Sequence, residues 1–285
     1  MTIRTILAGA SGGTASDGAI EVACRLAKQF QAHLEGLHVR PDPEELIMAA
    51  GAGFGMPLPG DWVDRVSGDA EAAATRLKAS FLAAASRHGL PVREAPATGA
   101  SVSWHEETGY APSALAARAR FFDLIVLGRS ERVVDRPYTD AVEETLIGSG
   151  RPVLLAPARM PDTVGATIAL GWNGSPEAVR VMTASLDLLQ AASAVFVITV
   201  GDKHKDSAGL IRDYLAWRGI AAKVRHVPSI AGVGPGAQLL SAARDDGADL
   251  LVMGGYGQTP WREMLFGGAT REIVGVSLLP LLISH

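Results

Sequence analysis

Cysteine is nearly missing from this chain: Cys24 is the single one among 285 residues. One thiol excludes an intrachain disulfide and a multi-cysteine metal site. Its place in the helical pattern 20–26 reads as a small buried hydrophobe rather than a reactive thiol. Excess charge is missing too. A net charge of −4 and a pI near 6.0 provide no general attraction for nucleic acid or an anionic membrane. No apolar run approaches the length of a membrane span, and the stretch 276–283 is interrupted by Pro280. The first six residues enter a short strand pattern instead of the apolar core of a signal peptide, so a cytoplasmic location is the default expectation. No nucleophile elbow, HExxH helix or paired-carboxylate helix is found. What remains is 48% hydrophobic and 20% charged, a globular composition with enough length for one large or two ordinary domains.

The chain repeats itself. Asp123-Leu-Ile-Val-Leu-Gly128 and Asp249-Leu-Leu-Val-Met-Gly254 share one pattern. Each follows a helix-like segment and precedes, after some thirty residues, a second apolar strand, at 152–156 and 280–284. Earlier in each half a short apolar run, 5–8 and 167–170, ends in a Gly/Ser-rich turn and an amphipathic stretch. In the second half the pattern predicts strands at 167–171, 194–200, 222–226, 249–253 and 281–284. Helices are predicted at 176–189, 207–218, 235–246 and 269–276. Alternating strand and helix implies an α/β fold with a doubly wound parallel sheet in each of two tandem domains, 1–158 and 164–285. Such sheets bind ligands outside the carboxyl ends of their strands, so the loops after the first and fourth strands of a domain should face one crevice.

The second of those loops carries the most informative spacing. Gly254-Gly255-Tyr256-Gly257 is followed after nine residues by Gly267-Gly268-Ala269-Thr270. Glycines let backbone approach a ligand where a Cβ would clash, and a helix starting at Ala269 would turn unpaired N–H groups and a positive dipole end towards an anion. A phosphate site is one reading; turns without a ligand are the other.

On these residues the second half resembles a universal stress protein domain, and the whole chain resembles a tandem member of that family. Gly254, Gly257 and Gly267 match the family's G-x-x-G-x9-G phosphate motif, with Gly268, Ala269 and Thr270 close to its small-residue continuation. Trp172-Asn173-Gly174-Ser175 occupies the place of the adenosine loop, with Asn173 where nucleotide-binding members have Asp. The resemblance also implies that Val200 lies beside an adenine and Met253 along a ribose. It implies ATP, ADP or AMP as ligand, with Mg²⁺, and pairing of domains through their last strands. Here that pairing would join 153–156 to 281–284 as an internal pseudo-dimer, with a homodimer of chains as a further step.

The first half looks like the same architecture with a damaged site. Laying Gly128 on Gly254 puts Glu131 on Gly257, and counting back from the matched prolines puts Asp140 on Gly268. Two carboxylates there would repel a polyphosphate. The segment Ser11-Gly12-Gly13-Thr14-Ala15-Ser16-Asp17 resembles the Ser-Gly-Gly-x-Asp-Ser loop of PP-loop ATP pyrophosphatases, but its Asp17 follows Ser16 instead of preceding it. The start of a helix with Ser16 as N-cap fits better.

Residues 41–68 form an insertion without a counterpart in the second half. Its 46–59 stretch is uncharged and rich in glycine and methionine, suiting a packed loop better than a lid over an apolar ligand. Trp104-His105-Glu106-Glu107 is read as an exposed polar loop rather than a metal site, because adjacent residues in an irregular segment do not converge on one ion. His33, His38 and His226 fall in or beside strand patterns and read as structural. Thr259, Arg262 and Glu263 could touch a terminal phosphate, though Arg262 with Glu263 also suits a solvated pair. The expectation is a stress-response protein that binds an adenine nucleotide in its second half as a switch, with an unknown protein partner and no catalytic residues. Weak ATP hydrolysis and a nucleotide-independent interaction or small apolar-ligand protein are the alternatives.

Overall fold

The computed structural model describes residues 2–42, 62–129, 136–157, 161–255 and 279–285. In the first half the strands are β1 (Thr5–Gly9), β2 (His33–Arg40), β3 (Ser101–Thr108), β4 (Leu124–Gly128) and β5 (Val153–Ala156). The helices between them are α1 (Gly13–Phe30), α2 (Trp62–Arg87), α3 (Ala111–Ala119) and α4 (Arg136–Ser149). In the second half the strands are β6 (Thr167–Gly171), β7 (Ala194–Val200), β8 (Ala222–Val227), β9 (Leu250–Gly254) and β10 (Leu281–Ser284). The helices are α5 (Pro176–Ala184), α6 (Leu186–Ala191), α7 (Ser207–Ala216) and α8 (Pro235–Asp245), with a 3-10 turn at Asp202–His204.

All ten strands join one sheet in the order β3-β2-β1-β4-β5-β10-β9-β6-β7-β8. Each half is parallel and has the same internal order, while the central pair β5 and β10 is antiparallel, with Leu281 opposite Leu155, Leu282 opposite Leu154 and Ile283 opposite Val153. The expected joining of the two last strands is therefore the actual centre of the fold. An approximate twofold normal to the sheet relates the halves, since α1 and α2 share a face with α5, α6 and α7, while α3, α4 and α8 cover the other.

The strand residues explain the two layers. Successive side chains alternate across a sheet, and here both faces are covered, so central strands read as continuous apolar runs. Leu124 and Val126 enter one core and Ile125 and Leu127 the other. The repeated aspartates open β4 and β9 and tie them to the strand beside them. Asp123 accepts hydrogen bonds from the Arg4 and Thr5 N–H groups and from the Thr5 hydroxyl. Asp249 accepts from the Gly165, Ala166 and Thr167 N–H groups. Both carboxylates thus fix strand register at the edge of the sheet opposite the carboxyl ends.

Three expectations are corrected here. Ser16 is not an N-cap: α1 starts at Gly13 behind Gly12, whose φ of 89° lets the chain turn into the helix earlier, and Ser16 lies inside it, buried. The helix expected over 176–189 is two, because Ser185 leaves helical geometry (φ −93°, ψ 6°) and its hydroxyl donates to the Met182 carbonyl. The segment Trp104 to Glu107 is not a loop but part of β3, paired with β2 along its length. Alternation splits those four residues: the Trp104 indole donates to Glu106 at 2.6 Å on one face, and His105 lies 3.6 Å from Glu107 on the other. The helix expected at 269–276 and the insertion's 43–61 lie outside the described residues.

Candidate functional site

In each half the chain reverses its direction across the sheet once, between β1 and β4 and between β6 and β9. Ligands of doubly wound sheets sit beyond the carboxyl ends of strands at such a switch point. In the second half the switch point is bordered by the ends of β6 and β9, with Gly171 opposite Met253, and by the end of β7 on the far side of β6.

Seven of the residues expected at the site gather there. Trp172 extends the ladder from β6, its N–H donating to the Ile198 carbonyl at 2.8 Å. Its indole Nε1 donates to the Ser207 hydroxyl at 2.9 Å, and that hydroxyl in turn donates to the His204 carbonyl. Asn173 Oδ1 accepts from the Ser175 N–H at 3.1 Å, closing a side-chain turn. Ser175 caps α5, its Oγ accepting from the Ala178 N–H at 3.2 Å. Gly174 between them has φ 70°, and a Cβ on it would lie 2.6 Å from His204 Nδ1. Val200 ends β7 opposite Val227. Met253 is buried with Leu239 in the core cluster on one side of the sheet. At Gly254 a Cβ would meet the Ala178 nitrogen at 2.6 Å, so the end of β9 touches the start of α5 backbone to backbone. Tyr256, Gly257, Gly267, Gly268, Ala269 and Thr270, with Thr259, Arg262 and Glu263, lie outside the described residues.

Two side chains at this crevice went unnoticed in the sequence. His204 packs on the Gly174 turn from the loop after β7, a tertiary contact with no local pattern to announce it. Glu177, in the first turn of α5, is buried. Burial opposes ionisation of Glu177, but its own backbone N–H, the Ser175 hydroxyl and Arg180 outweigh that and hold the carboxyl below its ordinary range. Arg180 bonds Glu177 Oε1 at 2.7 Å and the His285 carbonyl at 2.8 Å, tying α5 to the end of β10.

The first crevice repeats the frame with other residues. Gly128 packs on α1 as Gly254 does on α5, its would-be Cβ colliding with the Ala15 carbonyl. The Arg129 N–H donates to the Ala156 carbonyl at 2.7 Å, just as the Gly255 N–H donates to that of Ser284 at 2.9 Å. A buried arginine therefore stands where the second half has a glycine. Asp140 lies in α4, half-buried, and Glu131 lies outside the described residues. Among the remaining candidates, His38 Nδ1 is 2.8 Å from the Ala10 carbonyl, and His33 bridges the hydroxyls of Ser101 and Ser103. His226 lies 3.4 Å from both Thr199 Oγ1 and Asp202 Oδ1. Cys24 is fully buried and burial pushes its thiol up to about 12.

The fold as a whole is similar to that of a universal stress protein from Archaeoglobus fulgidus, at 14% identity and a TM-score of 0.74, over 100% of this chain and 99% of that one. The chain has the tandem universal stress protein fold. Two proteins from Pseudomonas aeruginosa are similar over 99% of this chain. One is a functionally unknown protein, with 16% identity, TM-score 0.56 and 92% of its own length covered. The other is a putative universal stress protein, with 15% identity, TM-score 0.51 and 93% covered. No family model and no curated protein matches the sequence. In the universal stress protein fold of this chain, no helix among the described residues is long and apolar enough to cross a membrane.

Proposed function

We propose that this chain is a cytoplasmic stress-response protein of the universal stress protein family. Its C-terminal half, 164–285, binds ATP or a related adenine nucleotide, and its N-terminal half, 1–158, is structural or regulatory. The observation that carries the reading is the second switch point. There the turn Asn173-Gly174-Ser175 leads from β6 into α5, whose start touches Gly254 at the end of β9, where the G-x-x-G-x9-G spacing begins. With phosphates on the glycine side, the base falls to the rim formed by residues 172–175 and the end of β7 at Val200. Mg²⁺ would arrive with the phosphates, which are its usual ligands in nucleotide sites. Binding acts as a switch by favouring one state of the chain over another, and so changing the surface shown to a protein partner.

Calorimetric titration of nucleotide-stripped protein with MgATP, beside a Gly257→Glu variant that copies Glu131, tests the reading. One ATP per chain, lost in the variant, is expected; a folded wild-type protein that takes up no nucleotide defeats it. A second reading, a nucleotide-independent interaction module, is favoured by Leu210 in α7 and Trp217 at its C-terminal cap, which are 71% and 89% exposed and, seven residues apart in helical geometry, lie on one face. Slow ATP hydrolysis is a third, tested by turnover above that of the Gly257→Glu variant.

A further inference from the structure

The ten-stranded sheet ends in two strands that pair with a neighbouring strand on one side only, β3 and β8. Such an edge is a row of N–H and C=O groups open to another chain. β3 is covered only at its start, where the Val102 N–H donates to the Pro91 carbonyl and the Val102 carbonyl accepts from the Arg93 N–H. Those two bonds also fix which residues look outward. Alternate residues of a strand paired on one side turn both backbone groups to the other side. Trp104, Glu106 and Thr108 therefore point theirs away from β2, and they have no backbone partner there among the described residues. In β8 the Val227 carbonyl accepts from the Gly201 N–H on the β7 side. Ala222, Val224 and His226 thus turn outward, equally without a backbone partner there among the described residues.

The two edges match in length, direction and charge. Beyond Val102, β3 leaves 103–108 open, and β8 spans six residues, Ala222–Val227. The halves run in opposite directions, so β8 of one copy meets β3 of a copy laid beside it in the same plane antiparallel, as β5 meets β10. Outward residues must oppose outward residues. With the open lengths in full overlap, Ala222 falls opposite Thr108, Val224 opposite Glu106 and His226 opposite Trp104, and this sets Lys223 opposite Glu107. Both of those side chains stand on the same side of the sheet. Lys223 Nζ lies 5.6 Å from the centre of the Phe196 ring, and Glu107 is the register partner of Val39; Phe196 and Val39 pack against one core cluster. Arg225 is already held by Asp245 at 3.2 Å and Asp246 at 2.6 Å, whereas Lys223 meets no carboxylate among the described residues and Glu107 pairs only with His105, at 3.6 Å. Like edges do not match. Two β8 strands would set Lys223 opposite Arg225, and two β3 strands would set Glu106 opposite itself, and like charges directly opposite destabilise a strand pair.

We propose that copies of this chain associate head to tail, β8 of one pairing antiparallel with residues 103–108 of the next. The contact joins two different surfaces, so it propagates from copy to copy instead of closing into a twofold dimer. It does not depend on what occupies the crevices.

Sedimentation velocity of the full chain at rising concentration, in low and in high salt, is the test. The average mass is expected to climb with concentration past two copies and to fall back when salt screens the charge pair. A mass that stays at one chain overturns the proposal, and a mass that stops at two overturns the head-to-tail arrangement. Val224→Pro removes one outward N–H, a change that edge strands accommodate, and is expected to abolish the association while the protein stays folded by circular dichroism. Association undiminished in that variant puts the contact elsewhere and overturns the assignment to β8. Glu107→Lys and Lys223→Glu are each expected to lose association alone and to regain it when mixed in equal amounts, because the altered β3 of one then meets the altered β8 of the other. Single variants that remain apart in the mixture overturn the register.

Discussion

Leu154 of β5 and Leu282 of β10 are direct partners across the antiparallel seam, and both are completely buried in the same core cluster. The seam is thus an extension of the hydrophobic core through the middle of the sheet, and not a contact between two finished surfaces. Burying apolar side chains at such a point stabilises both halves at once, because neither half covers its last strand alone.

Truncation at the seam should be costly. Leu282→Ala is expected to lower the unfolding free energy by about 2–5 kcal/mol, the range for deleting a fully buried leucine side chain. Denaturant unfolding measures it. Adding Leu154→Ala should cost less than it does alone, because partners in contact couple by about 0.5–3 kcal/mol. Strict additivity would show that the two side chains do not share a packing environment.

The rim of the second crevice makes a prediction of its own. Gly174→Ala forces an L residue to a φ of 70°, at about 1–2 kcal/mol, and drives its Cβ to 2.6 Å from His204 Nδ1. In a His204→Ala background the clash disappears and only the backbone strain remains. The substitution should therefore cost less there. Thermal or denaturant melts of the four proteins in this cycle check it, and an identical cost in both backgrounds would contradict the packing of His204 on the turn.

A pH dependence follows from Glu21, which joins α1 to the end of α2. His88 Nε2 lies 2.6 Å from its Oε1 and Arg87 Nη2 3.3 Å from its Oε2. Burial would raise this carboxyl, but hydrogen bonds and charge from His88 and then Arg87 outweigh it and hold it below the ordinary value of 4.5. A carboxyl depressed in the folded state contributes its stabilisation fully above its unfolded pKa and loses it as pH falls through the folded one. Glu21→Gln should thus be less stable than wild type at pH 7, with the gap closing in acid below the ordinary carboxylate range. Denaturant midpoints of both proteins across that range decide it, and a gap that persists in acid would count against the ionic origin.

The central strands were legible because both of their faces are buried, which leaves runs such as Leu124 to Leu127 without polar interruption. Asp123 and Asp249 were visible as a repeat, but their task, holding the adjoining strand by its N–H groups, joins residues more than eighty positions apart and leaves no local pattern. β3 was missed for the converse reason. It is an edge strand with only partial burial, and His105, Glu106 and Glu107 in it read as loop. Ser16 and Ser185 show the limit of helical periodicity, which reports the apolar face but not the residue at which a helix starts or breaks. At the site, Asn173, Gly174 and Ser175 were readable as a turn. His204 was not, because its contact with that turn joins loops some thirty residues apart.

The antiparallel seam sets the two halves pointing in opposite directions, so their switch points open on opposite margins of one sheet. A single partner lying along one margin can cover only one of them. Because both halves belong to one polypeptide, their union does not dissociate on dilution as a pair of separate subunits would. Two identical chains must also carry two identical openings. This chain is released from that symmetry, and with Arg129 on one margin and Gly255 on the other it has become a molecule with two different ends.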